Sequence, residues 1–339
     1  MEKITIRNFG PIKQAEIIIR PVTIFIGTTS SGKSTAAKLI SIFQTLPAFA
    51  TDSTILHRLL ADYNIDFSIT EKTSIVYQRN EHVFELKGGT IKNSFARYGV
   101  TGYLPIYIPA ERMFFSTISQ SIFSLISSNI SLPKWLIDFG AKFEQARNSI
   151  KKLSIDFLQA GYEYDDRTDY VQIEGGVKIR LSQASSGLQS VIPMVLVIRF
   201  NTDINKSVKE LFVIEEPELN LYPASQKDLI EFIIGRVNQS NDHLIITTHS
   251  PYLLTSLDNL IQAKNIVDGN PLLQETVETL VKKDYWLDFD KVSCYYFKDG
   301  GCHSTLDEEL GSIGPSNIDD VSLELSKTFE SLLSLKYPA

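Results

Sequence analysis

Three short stretches carry residues whose types and spacing could do phosphate chemistry. The first is GTTSSGKS, Gly27 to Ser34, which fits G-x-x-x-x-G-K-[ST]. The apolar strand VTIFI precedes it and a helical run follows. In such a loop the backbone of Gly27, Thr28, Thr29, Ser30, Ser31 and Gly32, with Lys33, Ser34 and Thr35, wraps phosphate oxygens. The helix N-terminus adds a favourable dipole. Lys33 would neutralise the β- and γ-phosphates, and the Ser34 hydroxyl would ligate Mg²⁺. The bland alternative is a Gly/Ser turn.

The second stretch is LFVIEEPELNLYP, Leu211 to Pro223. Four apolar residues deliver two adjacent carboxylates to a strand end, where a phosphate site of an open α/β sheet lies. Two neighbouring anions are costly unless a cation compensates them. Glu215 would hold Mg²⁺, through water, and Glu216 would act as general base on the attacking water. A solvated acidic turn is the competing account. The third stretch, LIITTHSPYLL (Leu244–Leu254), places His249 at the end of another buried strand. There it could hydrogen-bond a γ-phosphate and hold water in line. A purely structural histidine is the other reading.

These residues need a scaffold. KITIRN and AEIIIR alternate, and VTIFIG is a continuous apolar strand. A helix is expected from Gly32 to about Thr45, ending before Pro47. IDFSIT, TSIVYQ and HVFELK, within residues 65–87, read as three antiparallel strands. LPIYIP (Leu104–Pro109) is another buried strand. The block from about Ser116 to Gly161 reads as helical, with Pro133 in a first turn. A hairpin at Asp169–Leu181 leads to QASSGLQS and the apolar helix VIPMVLVI. LFVI, LIIT and VSCYYF complete the strands, interleaved with helices near 223–238 and 251–263. The expected class is α/β: a mainly parallel central sheet, an antiparallel β subdomain and an inserted helical subdomain.

Composition narrows the function classes. The chain has 339 residues, 43% of them hydrophobic and 22% charged, which is ordinary globular usage. A net charge of −7 confines any nucleic-acid contact to a local patch. KFEQARNSIKK (Lys142–Lys152) is the candidate, against the plainer reading of a solvated helix face. Cys294 and Cys302 form no CxxC pair and fit a reducing compartment. Asp288, Asp290 and Asp299 are too scattered for a metal site. No apolar run approaches the roughly 18 residues of a membrane span, so no membrane contact and a cytoplasmic location are expected.

In their order along the chain, these motifs resemble an ABC-type ATPase of the SMC/RecF/OLD-like group, the "AAA family ATPase" kind. The opening ITIRNFGPIKQAEIIIRPVTIFIGTTSSGKST carries the resemblance, together with IYIPAER, IEEPELNLYP and TTHSPYLL. The resemblance implies a P-loop NTPase fold, ATP hydrolysis with Mg²⁺, and a homodimer or higher homo-oligomer closed around ATP. It also implies a role for QASSGLQS, whose Ser185, Ser186 and Gly187 stand where the group's signature meets the γ-phosphate of a second subunit. Small residues permit that approach, and a helix start supplies amides. Pro193 should bend the helix that follows. Thr29 and Glu215 depart from the group's commoner Asn and Asp, and the full LSGGQ of transporters is absent.

On the same basis the chain divides into an N-terminal lobe (1–115), a helical insertion (116–161), a signature, acidic-pair and histidine lobe (162–265) and a C-terminal extension (266–339). Glu111 and Arg112 of IPAER could act in the site or form an ion pair bracing the strand. The resemblance points to a switch controlling an effector encoded nearby, a nuclease or toxin, in anti-phage defence of the Septu- and PARIS-like kind. The competing functions are a RecF- or SMC-like DNA-repair ATPase and a nucleotide-binding structural hub with little turnover.

Overall fold

A computed structural model describes residues 2–45, 53–95, 103–118, 132–204, 209–314 and 317–336. Strands β1 (Glu2–Phe9) and β2 (Ile12–Ile19) pair antiparallel, and β3 (Val22–Gly27) is buried along its whole length. Helices α1 (Lys33–Thr45) and α2 (Ser53–Asp62) follow. Pro47 lies outside the described residues. Strands β4 (Ser74–Arg79), β5 (His82–Lys87) and β6 (Thr90–Asn93) form an antiparallel meander.

IDFSIT is not the strand expected. Asp66–Ser68 form a 3₁₀ turn, with the Ser68 amide donating to the Ile65 carbonyl. The edge of β1 is already taken by β4, so this segment satisfies its backbone locally. The third strand is β6, returned by Gly88 (φ 54°) and Gly89 (φ 75°), the paired positive φ of a type I′ hairpin.

Next come β7 (Leu104–Ile108), α3 (Met113–Ile118) and α4 (Lys134–Ser149). Pro133 is the N-cap of α4 rather than part of its first turn. The helical block also ends earlier than expected. KLSI forms β8 (Lys152–Ile155), and a 3₁₀ turn leads to β9 (Ala160–Asp165). Leu153 and Ile155 bury at a period of two, which a strand satisfies and a helix does not. Residues 119–131 of the same block lie outside the described residues. With β10 (Thr168–Gln172) and β11 (Lys178–Arg180), β8 and β9 make a small antiparallel sheet.

The apolar run becomes α5 (Ser186–Arg199), buried without a break from Ser190 to Ile198. It continues through Pro193, whose missing N–H would have bonded the Gln189 carbonyl four residues back. The Ser116 hydroxyl donates to that carbonyl instead, at 2.7 Å. The remaining elements are β12 (Glu210–Glu215), α6 (Pro223–Ser240), β13 (His243–Thr248), α7 (Pro251–Gly269), α8 (Gln274–Leu280), β14 (Val292–Lys298), β15 (Gly301–Ser304) and α9 (Asn317–Lys336).

One sheet of 11 strands runs β6-β5-β4-β1-β2-β15-β14-β3-β13-β12-β7. Strands β14, β3, β13, β12 and β7 are parallel neighbours. The class is therefore α/β with a parallel core, and the antiparallel strands extend the same sheet. Alternation along β3 divides the interior. Ile24 and Ile26 pack on one face with α5, α6 and α7, and Phe25 packs on the other with α1 and β1. Helices cover both faces, so the C-terminal ends of the parallel strands form one open edge.

Candidate active site

The loop after β3 is shaped by crowding. Gly27 has φ 150° and pairs in register with Phe297, so a Cβ there would sit 2.1 Å from the Phe297 carbonyl oxygen. Gly32, at φ 106°, would place a Cβ 2.6 Å from Ile12. Only glycine fits either position. Lys33 folds back into the loop, donating to the carbonyls of Gly27 at 2.9 Å and Thr28 at 2.8 Å. Burial lowers its pKa to about 8, opposed by Glu216 and then Glu218. The buried Ser31 hydroxyl has no hydrogen-bond partner among the described residues.

For a polyphosphate bound in this loop, as the sequence leads one to expect, this pKa implies a pH-dependent affinity. Polyphosphate requires the protonated ammonium, and above pH 8 that form declines about tenfold per unit. ATP affinity should thus be flat from pH 6.5 to 7.5 and fall about tenfold by pH 9, measured by equilibrium titration. A flat profile to pH 9.5 would contradict it.

Strand order brings the acidic pair to the same edge. Glu215 pairs with Thr247, which pairs with Phe25, so Glu215 lies two strands from β3 and two residues short of the level of its end. Its side chain is buried, and Oε1 has no hydrogen-bond partner among the described residues. The Tyr107 hydroxyl is pushed well above its ordinary pKa by burial, with the Glu215 charge adding to the shift. An unpartnered carboxylate oxygen and the half-exposed Ser34 hydroxyl are hard donors that fit Mg²⁺.

Glu216 has φ 42°, a costly backbone for a glutamate. Its amide donates to the Thr247 carbonyl at 2.8 Å. Its carboxylate lies 3.5 Å from Nε2 of His249, and both side chains are about one-third exposed, 32% and 35%. The structure thus brings Glu216 and His249 into contact, and Lys33 lies within electrostatic reach of Glu216.

Glu218 was not singled out from sequence, whereas Arg112 was, with its role left open. Glu218 accepts from the Thr248 hydroxyl at 2.6 Å and the His249 amide at 2.8 Å, fixing the histidine's backbone. The recurrence of a carboxylate two residues after the pair, in EEPEL, was the available signal. Arg112 is fully buried and bonds only carbonyls, whereas Glu111 is exposed, so they do not form the ion pair considered. The signature segment presents Ser185 and Ser186 to solvent at the start of α5, where the Ser185 hydroxyl accepts from the Leu188 amide. Gly187 faces inward, where a Cβ would lie 2.9 Å from the Asn220 carbonyl oxygen.

Elsewhere two of the four cations of the basic run are paired. Arg147 pairs with the buried Asp169 at 2.9 Å, and Lys152 with Glu163 at 3.2 Å. Asp288 accepts from the amide of Asp290, as a local cap. Among the described residues no group of three or more His, Cys, Asp and Glu side chains could hold a metal, and no helix is long and apolar enough to cross a membrane.

No curated protein matches the chain significantly. Among solved structures, it is similar to the SMC head domain from Thermotoga maritima, at 12% identity and a TM-score of 0.43, covering 90% of this chain and 98% of that one. It is also similar to an Smc head bound to the C-winged helix domain of ScpA (14%, TM-score 0.46, covering 91% and 98%). The recombination mediator protein RecF is a third such structure (10%, TM-score 0.40, covering 90% and 97%). A family model described as "AAA ATPase domain" matches residues 1–98 and 109–254, which include the loop, both carboxylates and His249. The chain belongs to the AAA ATPase domain family.

Proposed function

We propose that the chain hydrolyses ATP at a site completed by a second copy of itself. The observation that carries the hydrolytic part is the 3.5 Å approach of Glu216 to His249 with Lys33 in electrostatic reach of Glu216, and the second copy rests on the resemblance of the signature segment. The loop from Gly27 to Thr35 holds the polyphosphate, and Lys33 exchanges its two carbonyl partners for phosphate oxygens. Mg²⁺, held by Ser34 and Glu215, supplies charge neutralisation when bound. Glu216 takes the proton of a water that attacks the γ-phosphorus, the bond to the bridging oxygen breaks, and ADP and phosphate leave. His249, fixed through Glu218, orients that water and the γ-phosphate.

Ser185, Ser186 and Gly187 contact the γ-phosphate held by the partner copy, so ATP joins the two chains. Residues 1–339 act as one ATPase unit. Resemblance supports the further reading of a cytoplasmic switch acting on a separate nuclease or toxin in anti-phage defence. Co-purification of the neighbouring gene product with the ATP-bound dimer tests that role, and its absence would count against it.

The dimer is tested at Ser186, whose exposure makes it a cleaner position than the inward-facing Gly187. Ser186→Arg should leave ATP binding to the monomer within about twofold, since an exposed side chain contributes little to the chain's own fold. It should abolish ATP-dependent dimerisation in a Glu216→Gln background, read by sedimentation. Dimerisation as strong as in the parent would remove the segment from the interface.

A further inference from the structure

Between the exposed serines of α5 and the carboxylates after β12 sits Arg112, a fully buried cation. A guanidinium has five N–H donors, and here each meets a backbone carbonyl. Nε donates to Ser190 at 3.1 Å. One terminal nitrogen donates to Pro109 at 3.0 Å and Glu215 at 2.8 Å. The other donates to Glu216 at 2.8 Å and Pro217 at 3.2 Å. Three consecutive carbonyls thus converge on one rigid fork, which holds the turn carrying Glu216 at its unfavourable φ. The same fork grips the second turn of α5.

Two further contacts tie these pieces. Gly187 packs on Asn220 with no room for a Cβ, and Ser116, in the helix just after Arg112, bonds the Gln189 carbonyl. The start of α5 and residues 215–220 are therefore joined as one body.

We infer that Arg112 is a positioning residue that carries engagement of Ser185 and Ser186 by the partner to Glu216 of the same chain. This rests on the proposed reading that the signature segment meets the partner's nucleotide. In such a dimer a chain's signature serves one site while its Glu216 serves the other. Arg112 then couples the two sites, and ATP bound at one completes the base at the other.

Arg112→Lys tests the coupling, because an ammonium keeps the charge but has three donors for five carbonyls. Wild type should hydrolyse ATP cooperatively, with a Hill coefficient clearly above 1. In Arg112→Lys, kcat should fall about tenfold or more and the Hill coefficient drop to 1, with monomer ATP affinity within about twofold. A merely structural role would lower the melting temperature without changing the Hill coefficient of the folded fraction. Ser116→Ala leaves the guanidinium in place and removes one tie, so it serves where the lysine variant does not fold. It should lower kcat about fivefold and reduce cooperativity, as loss of one hydrogen bond would.

Unchanged kcat and Hill coefficient in a folded variant would overturn the inference. So would a wild-type Hill coefficient of 1 despite ATP-driven dimerisation. Failure of the underlying reading is separate: Ser186→Arg would then dimerise like its parent, and the coupling would lose its basis.

Discussion

Lys33→Ala is expected to weaken ATP binding about 100-fold or more, with the fold retained. Lys33 as a residue is 5% exposed, so its charge would act on a phosphate bound beside it with little solvent screening. Truncating one partner of a buried, hydrogen-bonded charge pair costs about 2–5 kcal/mol, and each 1.4 kcal/mol is about tenfold in affinity. Part of the effect is local, because the carbonyls of Gly27 and Thr28 lose their donor. Calorimetric titration with ATP reads the binding, and a melting curve reads the fold. Wild-type affinity in a folded variant would refute the loop as the nucleotide site.

Glu216→Gln should bind ATP normally and hydrolyse it about 10²–10⁴-fold more slowly, the usual contribution of a general base. The amide is isosteric, so the carbonyl held by Arg112 and the amide bonded to Thr247 keep their partners. What is lost is a base 3.5 Å from His249. Hydrolysis is then the slow step, and ATP-bound dimer should accumulate to a form visible by sedimentation. Turnover at the wild-type rate would assign water activation to another group, with Glu218 the nearest candidate on the same turn.

The strand–loop–helix of Gly27 to Ser34 and the buried strands ending in Glu215 and Thr248 were legible because each is a local pattern. A run of apolar residues forces both faces under cover, and a Gly- and Ser-rich stretch between a strand and a helix reads as a turn. The signature segment was legible only through resemblance, since no charge or metal ligand marks it. Sequence expectation and structure differ where local pattern and neighbours compete. IDFSIT has strand composition, but β4 occupies the edge it needed. KLSI continues a helical run by composition, but pairs with β9 because Leu153 and Ile155 bury on alternate residues.

From sequence alone came the chemical inventory: which side chains can meet phosphate and metal, and which strands deliver them. Tertiary structure alone decided how those residues are held. Arg112 is one charged residue among 22% charged composition, and its five acceptors come from three stretches as far as 105 positions away. Its acceptors are carbonyls, which every residue has, so no spacing of side chains could announce them. Glu218 likewise reads as one more surface acid until β12 and β13 lie side by side and its carboxylate reaches the amide of His249. Side-chain identity is written along the chain, whereas backbone acceptors gain a partner only when distant segments are packed together.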